Sequence, residues 1–179
     1  MSAHHCDPHE GSSSTTKGLA RFALVGNPNS GKSTLFNALS GLRAKTGNYP
    51  GVTVAKYEGK VRLSNSTVVI EDLPGTYSLE AISPDELVVV DVLDPSGDER
   101  TPTPDGVIVA LDATTLNRSL GLLAQVLNRS LPTCVVLTFA DDLQRRGGSI
   151  DTNALSVALG VRVVAVTSGE RIGVERIRS

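Results

Sequence analysis

The sequence has few of the features that mark secreted, membrane-embedded or nucleic-acid-binding proteins. Its 179 residues include only two cysteines, Cys6 and Cys134, so no disulfide framework beyond one pair can form. No apolar run approaches the ~20 residues of a membrane helix, and the N-terminus has no apolar signal-peptide core. The net charge of −2 gives no electrostatic reason to expect a nucleic acid or an anionic membrane as a partner. We therefore expect a soluble, intracellular protein that does not bind nucleic acid.

The length and composition fit one α/β domain preceded by a polar tail. Hydrophobic residues make up 40% of the chain and charged residues 20%, as in ordinary globular proteins. Residues 1–18 are rich in Ser, Thr, His and Gly and have no hydrophobic period, which predicts a disordered tail before a domain spanning 19–179. The tail could hold a metal, although its spacing matches no structural zinc site and a solvated tail is the simpler interpretation. The residues concerned are His4, His5, Cys6, Asp7 and His9.

Strand and helix patterns alternate along the domain. Six short apolar runs predict strands at 22–25, 54–63, 68–70, 107–111, 133–137 and 161–166. Helical spacing predicts helices at 33–42, 84–93, 116–127 with Thr115 as the cap, and 153–159, while residues 94–104 form a surface loop. This alternation predicts a mostly parallel six-stranded sheet with helices on both faces.

A phosphate-binding pattern follows the first strand and opens the first helix. Residues 26–33, Gly-Asn-Pro-Asn-Ser-Gly-Lys-Ser, fit G-x-x-x-x-G-K-[ST]. Glycines let backbone N–H groups turn toward phosphates, Lys32 places a cation between the β- and γ-phosphates, and Ser33 offers a hydroxyl to Mg²⁺. The predicted phosphate site comprises Gly26, Asn27, Pro28, Asn29, Ser30, Gly31, Lys32, Ser33 and Thr34.

Two further segments separate GTPases from other proteins with this loop. Residues 72–75 fit D-x-x-G at the end of a strand, where Asp72 can hold a Mg²⁺ water and the Gly75 N–H can approach the γ-phosphate. Thr53, between the first helix and the next strand, stands where a GTPase keeps a second hydroxyl ligand of Mg²⁺. Each signal is weak by itself, but the order and spacing of all three predict a Ras-like P-loop GTPase that binds GTP or GDP.

The base-reading segment is an incomplete match to N-[KT]-x-D. It reads Thr138-Phe139-Ala140-Asp141, and the Asp141 carboxylate can accept hydrogen bonds from guanine N1–H and N2–H₂. Phe139 can stack on the purine, whereas Thr138 supplies one short hydroxyl in place of an amide. Two alternatives stay open: the acids only begin a loop, or Asp142 is the reader, although that register breaks the spacing. A short loop after the last strand, with Thr167, Ser168 and Gly169, is a degenerate match to the segment that contacts the guanine oxygen.

Taken together, the segments resemble the cytoplasmic GTPase domain of the FeoB family of bacterial ferrous-iron transporters. The likeness spans residues 21–177 and is carried by segments 26–37, 47–54, 72–79, 83–86 and 112–120. It implies a domain that hydrolyses GTP and regulates Fe²⁺ uptake by a membrane portion of the same protein, at the cytoplasmic face of the inner membrane. It also implies that a helical subdomain and the membrane domain are missing from this chain, which would then be a fragment or a short natural form.

The resemblance also indicates how hydrolysis is activated. Thr76, and not a water-positioning Gln, follows Gly75, which predicts slow hydrolysis. Asn29 is typical of GTPases that resemble the K⁺-activated group. There a K⁺ beside the phosphates is held by this Asn and by backbone carbonyls of the loop before Thr53. The alternative is that the Asn29 side chain only stabilises the loop. The predicted catalytic residues are Asn29, Lys32, Thr53 and Gly75.

Three departures from the family pattern and two alternative functions remain. The departures are Thr138, a loop at 94–104 that looks longer than usual, and the early end of the chain. One alternative is a soluble GTPase of ribosome or RNA-processing type, against which the acidic balance and segment 49–53 argue. The other is a nucleotide-binding module with relaxed base specificity, suggested by Thr138. Segments 44–52 and 76–83 are the expected contacts with a membrane partner, and a homo-oligomer is left open.

Overall fold

The strands of this α/β protein form one mixed, mostly parallel sheet. The computed structural model describes residues 18–94, 96 and 103–167. Its strands are β1 (Arg21–Gly26), β2 (Ala44–Asn48), β3 (Ala55–Arg62), β4 (Thr67–Asp72), β5 (Gly106–Asp112), β6 (Thr133–Thr138) and β7 (Arg162–Ala165). Within the described residues their order is β2-β3-β4-β1-β5-β6-β7. The pairs β4-β1, β1-β5, β5-β6 and β6-β7 are parallel, and the β2-β3 and β3-β4 pairs are antiparallel.

Helices connect the parallel strands. They are α1 (Lys32–Ser40), α2 (Pro84–Val92), α3 (Leu120–Leu127), α4 (Ala140–Arg145) and α5 (Thr152–Leu159), with a 3₁₀ helix at Ala113–Arg118. The start of α2 is encoded locally: Pro84 takes the first helical position, and Ser83 and Glu86 form a reciprocal capping box. Among the described residues no helix is long and apolar enough to span a membrane.

Each face of the sheet carries its own apolar core, since successive residues of a strand point to opposite faces. Val107, Val109 and Leu111 of β5 belong to a cluster that includes buried residues of α2 and α3. Ile108 and Ala110, between them in the sequence, belong to a second cluster with Leu35, Phe36 and Leu39 of α1. The prediction of helices on both faces is therefore confirmed.

In the part of the chain that the structure describes, the sheet has seven strands, where the sequence predicts six. Residues 44–48, predicted as part of a loop, pair in antiparallel register with β3, from Ala44 opposite Gly59 to Asn48 opposite Ala55. All five residues of β2 are exposed, so main-chain hydrogen bonds stabilise this edge strand without an apolar face.

The helix predicted at 116–127 is wrong in its first third. Residues 113–118 form the 3₁₀ helix, in which Thr115 has non-helical dihedrals (φ −133°, ψ 36°), and α3 begins at Leu120 after Ser119. Thr115 is therefore not its cap. The Asp112 carboxylate instead accepts hydrogen bonds from the Thr114 N–H and hydroxyl, at 2.8 and 2.7 Å, which favours the tighter turn. The tail residues 1–17, with their candidate metal ligands, and most of the loop 94–104 lie outside the described residues.

Candidate functional site

The carboxyl ends of the parallel strands bring the predicted site residues to one edge of the sheet. The phosphate loop leaves β1 at Gly26, and the D-x-x-G segment leaves β4 at Asp72. The base-reading segment leaves β6 at Thr138, and Thr167 follows β7. In open α/β sheets this edge is where ligands bind.

The phosphate loop curls tightly between β1 and α1. Asn29 (φ 64°) and Gly31 (φ 76°) both have left-handed dihedrals, and the Ser30 N–H donates to the Asn27 carbonyl at 3.1 Å. Alternation of such dihedrals turns consecutive N–H groups to one side, which makes an anion-binding concavity at a helix N-terminus. Pro28, Asn29, Ser33 and Thr34 are exposed along this turn.

Close packing restricts residues beneath and beside the loop. A Cβ on Gly26 would lie 2.6 Å from the Ala110 carbonyl oxygen of β5 and 2.7 Å from the Ser30 hydroxyl. A Cβ on Gly75 would lie 3.1 Å from the backbone nitrogen of Pro28, so the D-x-x-G turn packs directly on the phosphate loop. The Thr76 N–H reinforces this contact by donating to the Gly26 carbonyl at 3.2 Å. Gly75 therefore lies against the phosphate loop.

Lys32 and Asp72 form a buried ion pair at the centre of the site. The Lys32 Nζ donates to the Asp72 Oδ1, and only 10% of each side chain is exposed. Burial raises the pKa of Asp72, and the neighbouring Lys32 ammonium opposes that rise. The Lys32 ammonium, which is suited to a phosphate, and the Asp72 carboxylate, which is suited to a hydrated cation, therefore neutralise each other.

The segment before Thr53 is held against β4 by a buried polar network. The Tyr49 hydroxyl donates to Glu71 Oε1 at 2.7 Å, and Glu71 Oε2 lies 2.6 Å from the Arg21 guanidinium and 3.5 Å from Lys56 Nζ. Burial, reinforced by the Glu71 charge, raises the pKa of Tyr49. Thr53 itself is exposed, and within the described part of the chain its hydroxyl makes no hydrogen bond to the phosphate loop.

The base-reading segment contacts the phosphate loop through its first two residues. The Thr138 hydroxyl lies 2.6 Å from the Ser30 carbonyl oxygen and 3.1 Å from that of Leu111. Phe139 has left-handed dihedrals (φ 55°), and its ring is so close to Gly31 that a Cβ there would lie 3.2 Å from it. These contacts bring Thr138 and Phe139 to the phosphate site.

The two neighbouring acids at the start of α4 differ in their ion pairs. Asp142 Oδ2 lies 2.6 Å from Arg146, and its other oxygen lies 3.2 Å from Arg145. Asp141 lies 3.7 Å from Arg145, and 31% of its side chain is exposed. Both acids therefore have cationic partners on their own helix, and Asp141 is the one that stands at the spacing of the base-reading motif. Of the last loop, only Thr167 is described, whereas Ser168 and Gly169 lie outside the described residues.

Two contacts in this site have no signal in the sequence. Asn27, predicted as a phosphate ligand, is only 5% exposed, and its Nδ2 donates to the Arg118 carbonyl at 3.3 Å and to the Ser119 hydroxyl at 3.1 Å. Its side chain therefore joins the loop to the end of the 3₁₀ helix. The Tyr49–Glu71 bond likewise joins residues 22 apart, and no local spacing predicts it.

Comparisons with known proteins agree on one family. The family model described as "Ferrous iron transport protein B" matches residues 20–179. The Fe(2+) transporter FeoB of Leptospira biflexa is 42% identical over 156 residues, which cover 87% of this chain and 22% of that protein. That of Salmonella typhimurium is 41% identical over 159 residues, or 87% of this chain and 20% of that protein. The chain thus spans about a fifth of the length of the curated relatives it matches.

Solved structures agree with this assignment. The cytosolic domain of the T. maritima FeoB iron transporter in a GMPPNP form superposes with a TM-score of 0.81 at 38% identity, over 89% of this chain and 61% of that one. An S. thermophilus NFeoB mutant bound to mGDP also has a TM-score of 0.81 at 38% identity, with 89% and 58% coverage. The G domain of T. maritima FeoB has a TM-score of 0.77 at 34% identity, with 89% and 96% coverage. With this fold, these contacts at the strand ends and these relatives, the chain belongs to the ferrous iron transport protein B family.

Proposed function

We propose that this chain binds GTP and Mg²⁺, hydrolyses GTP slowly, and is the regulatory domain of a ferrous-iron transporter. The observation that carries the proposal is the convergence of Lys32, Asp72, Gly75 and Thr138 on one phosphate loop at the carboxyl edge of the sheet. The relatives solved in GDP, mGDP or GMPPNP forms support guanine nucleotides as the ligands.

Phosphate binding follows from the charges and the loop geometry. The curled loop presents backbone N–H groups, and the Lys32 ammonium lies at the first residue of α1. When a triphosphate binds, its negative charge competes with Asp72 for Lys32. The phosphate then replaces one anionic partner of Lys32 with another, so the buried ammonium is never left unpaired.

The oxygen donors at this edge fit a Mg²⁺ ion. Ser33 offers an exposed hydroxyl beside Lys32, and the Asp72 carboxylate becomes available as Lys32 turns to the phosphates. Hard oxygen ligands of this kind, completed by phosphate oxygens and water, are what Mg²⁺ takes in nucleotide sites. Bound there, Mg²⁺ would neutralise charge on the β- and γ-phosphates. The exposed Thr53 hydroxyl would be a further ligand of the ion.

Hydrolysis must proceed without a side chain that orients water at position 76. The Thr76 hydroxyl is buried and donates to the Ser78 carbonyl at 2.5 Å, so its hydrogen is committed within the turn. Asn29 is exposed at the outer side of the loop and is therefore available to a K⁺ ion that would stabilise charge in the transition state. The Gly75 N–H, in the turn that packs on Pro28, would donate to a γ-phosphate oxygen.

The segments flanking the site are suited to transmit nucleotide state. Segment 44–52 is largely exposed around the Tyr49 anchor, and segment 76–83 includes Tyr77, 58% exposed, and Ile82, 94% exposed. Because Thr53 and Gly75 stand at the two segments and would both contact the γ-phosphate, hydrolysis should release them together. Exposed apolar side chains in segment 76–83 supply a contact surface for the membrane portion of the transporter.

The coupling to transport is tested in cells. Lys32→Ala is introduced into the full-length gene, and ⁵⁵Fe²⁺ uptake is measured in cells without other iron importers. Lys60→Ala, on an exposed position of β3, is the matched control for loss of one lysine. Loss of uptake in Lys32→Ala alone supports the proposal. Full uptake by a Lys32→Ala protein shown not to bind GTP would mean that nucleotide state does not govern transport.

A further inference from the structure

We infer that this site does not read N7 of the purine, because the Thr138 hydroxyl is committed to the phosphate loop. The inference rests on the proposed binding of guanine nucleotides and refines the base specificity of that same site. Its consequence is that nucleotides altered at N7 should bind as well as GTP does.

The first step concerns the single hydrogen of the Thr138 hydroxyl. Both of its near neighbours, the carbonyl oxygens of Ser30 and Leu111, can only accept hydrogen bonds. The hydroxyl hydrogen is therefore donated to one of them, and the shorter distance, 2.6 Å, favours Ser30. Thr138 is only 5% exposed, so no water competes for that hydrogen.

The second step concerns what N7 requires. Purine N7 carries a lone pair and can only accept, so a side chain recognises it only by donating a hydrogen. If the edge with N1 and N2 faces Asp141, the N7 edge faces back toward the phosphate loop and Thr138. A threonine with its hydrogen committed presents only lone pairs to that edge.

The third step concerns other side-chain donors that pack on the loop. The Asn27 amide uses its two hydrogens on Arg118 and Ser119. The Ser30 hydroxyl has no hydrogen-bond partner among the described residues, but it is buried against Gly26 in a residue that is 2% exposed and is closed to a base at the surface. In the described part of the chain, neither side chain replaces the missing donor.

Thr138 therefore acts as a positioning residue. Its hydroxyl joins the end of β6 to the phosphate loop and to β5, and its Cβ packs 3.3 Å from the place where a Cβ on Gly31 would stand. Base selection falls to Asp141 on one edge and to the Phe139 ring on the face. An amide at position 138 could donate one hydrogen to the Ser30 carbonyl and the other to N7.

The test compares GTP with 7-deaza-GTP, in which a C–H group replaces N7, by competition against a fluorescent GDP analogue. The parent protein should bind the two nucleotides with affinities within about twofold. Thr138→Asn should bind GTP roughly two- to tenfold more tightly than 7-deaza-GTP, the difference that one neutral hydrogen bond makes. The isosteric Thr138→Val should lose affinity for both nucleotides by the same factor, whereas Thr138→Ser should keep it.

The outcomes separate this inference from the proposed function. A parent protein that binds GTP at least fivefold more tightly than 7-deaza-GTP would overturn the inference and leave GTP binding intact. If Thr138→Asn, like the parent protein, binds GTP and 7-deaza-GTP with equal affinity, the side chain at position 138 does not face N7. A parent protein that binds neither nucleotide would refute the proposed function itself.

Discussion

Replacing Lys32 with alanine should weaken nucleotide binding and destabilise the protein for two separable reasons. The ammonium is the buried cation of the phosphate loop, so its loss removes a charged hydrogen bond worth about 1.5–3 kcal/mol, or roughly ten- to hundredfold in affinity. The same change leaves Asp72 as a buried carboxylate without its cation. Removing one partner of a buried ion pair costs up to about 3–5 kcal/mol, less where the remaining acid can take up a proton.

A second substitution separates the two effects. Adding Asp72→Asn to Lys32→Ala replaces the stranded carboxylate with a neutral amide, so the melting temperature should largely recover. Affinity for a fluorescent GDP analogue should not recover, because the phosphate cation is still missing. Lys60→Ala, exposed on β3, should change neither quantity. Unchanged affinity in Lys32→Ala would refute the assignment of this loop to phosphate.

Three other predictions concern the base, the activating cation and the fold. Asp141→Asn should shift the binding preference from GTP toward XTP in competition assays, because an amide can pair with the xanthine carbonyl. Unaltered selectivity would mean that a residue other than Asp141 recognises the base. The parent protein should hydrolyse GTP faster in KCl than in NaCl, and Asn29→Ala should hydrolyse it at the same rate in both salts. Equal rates of the parent protein in both salts would contradict activation by K⁺. The N–H groups of Ile82 and Ser83 donate to the Glu86 carboxylate and lower its pKa. In urea unfolding, the parent protein should have a larger free energy of unfolding than Glu86→Gln. This difference should be fully present above the ordinary pKa of glutamate and should be lost as the pH falls through the lowered pKa of Glu86. An advantage independent of pH would contradict the capping role.

Elements with a continuous apolar run, a helical apolar period or a recognisable cap were predictable from the sequence, and elements without these signals were not. β5 and β6 are continuous apolar runs, and α2 begins at a recognisable cap. β2 has five exposed residues with no alternation, so nothing local distinguishes it from a loop. α4 has six residues, of which only Ala140 and Leu143 are apolar, so it is too short to show an apolar period.

The candidate site was predictable as a set of motifs but not as a set of contacts. Lys32, Asp72 and Asp141 stand at the positions that nucleotide-binding motifs predict, and the parallel topology brings the strand ends together. The Lys32–Asp72 pair and the Tyr49–Glu71 bond are tertiary contacts, which no periodicity encodes. Family membership also removes the alternative of a ribosome or RNA-processing GTPase.

The central claim is that this edge of the sheet is a guanine-nucleotide site, and its most direct test is a titration of the purified chain with GDP and with ADP in the presence of Mg²⁺. In the proposed role, Asp141 accepts hydrogen bonds that guanine can donate and adenine cannot, so GDP should bind at least about tenfold more tightly than ADP. The preference should vanish in Asp141→Ala, while the Thr138→Ser control keeps it. Equal affinity of the parent chain for GDP and ADP, or no binding of either, would contradict the claim.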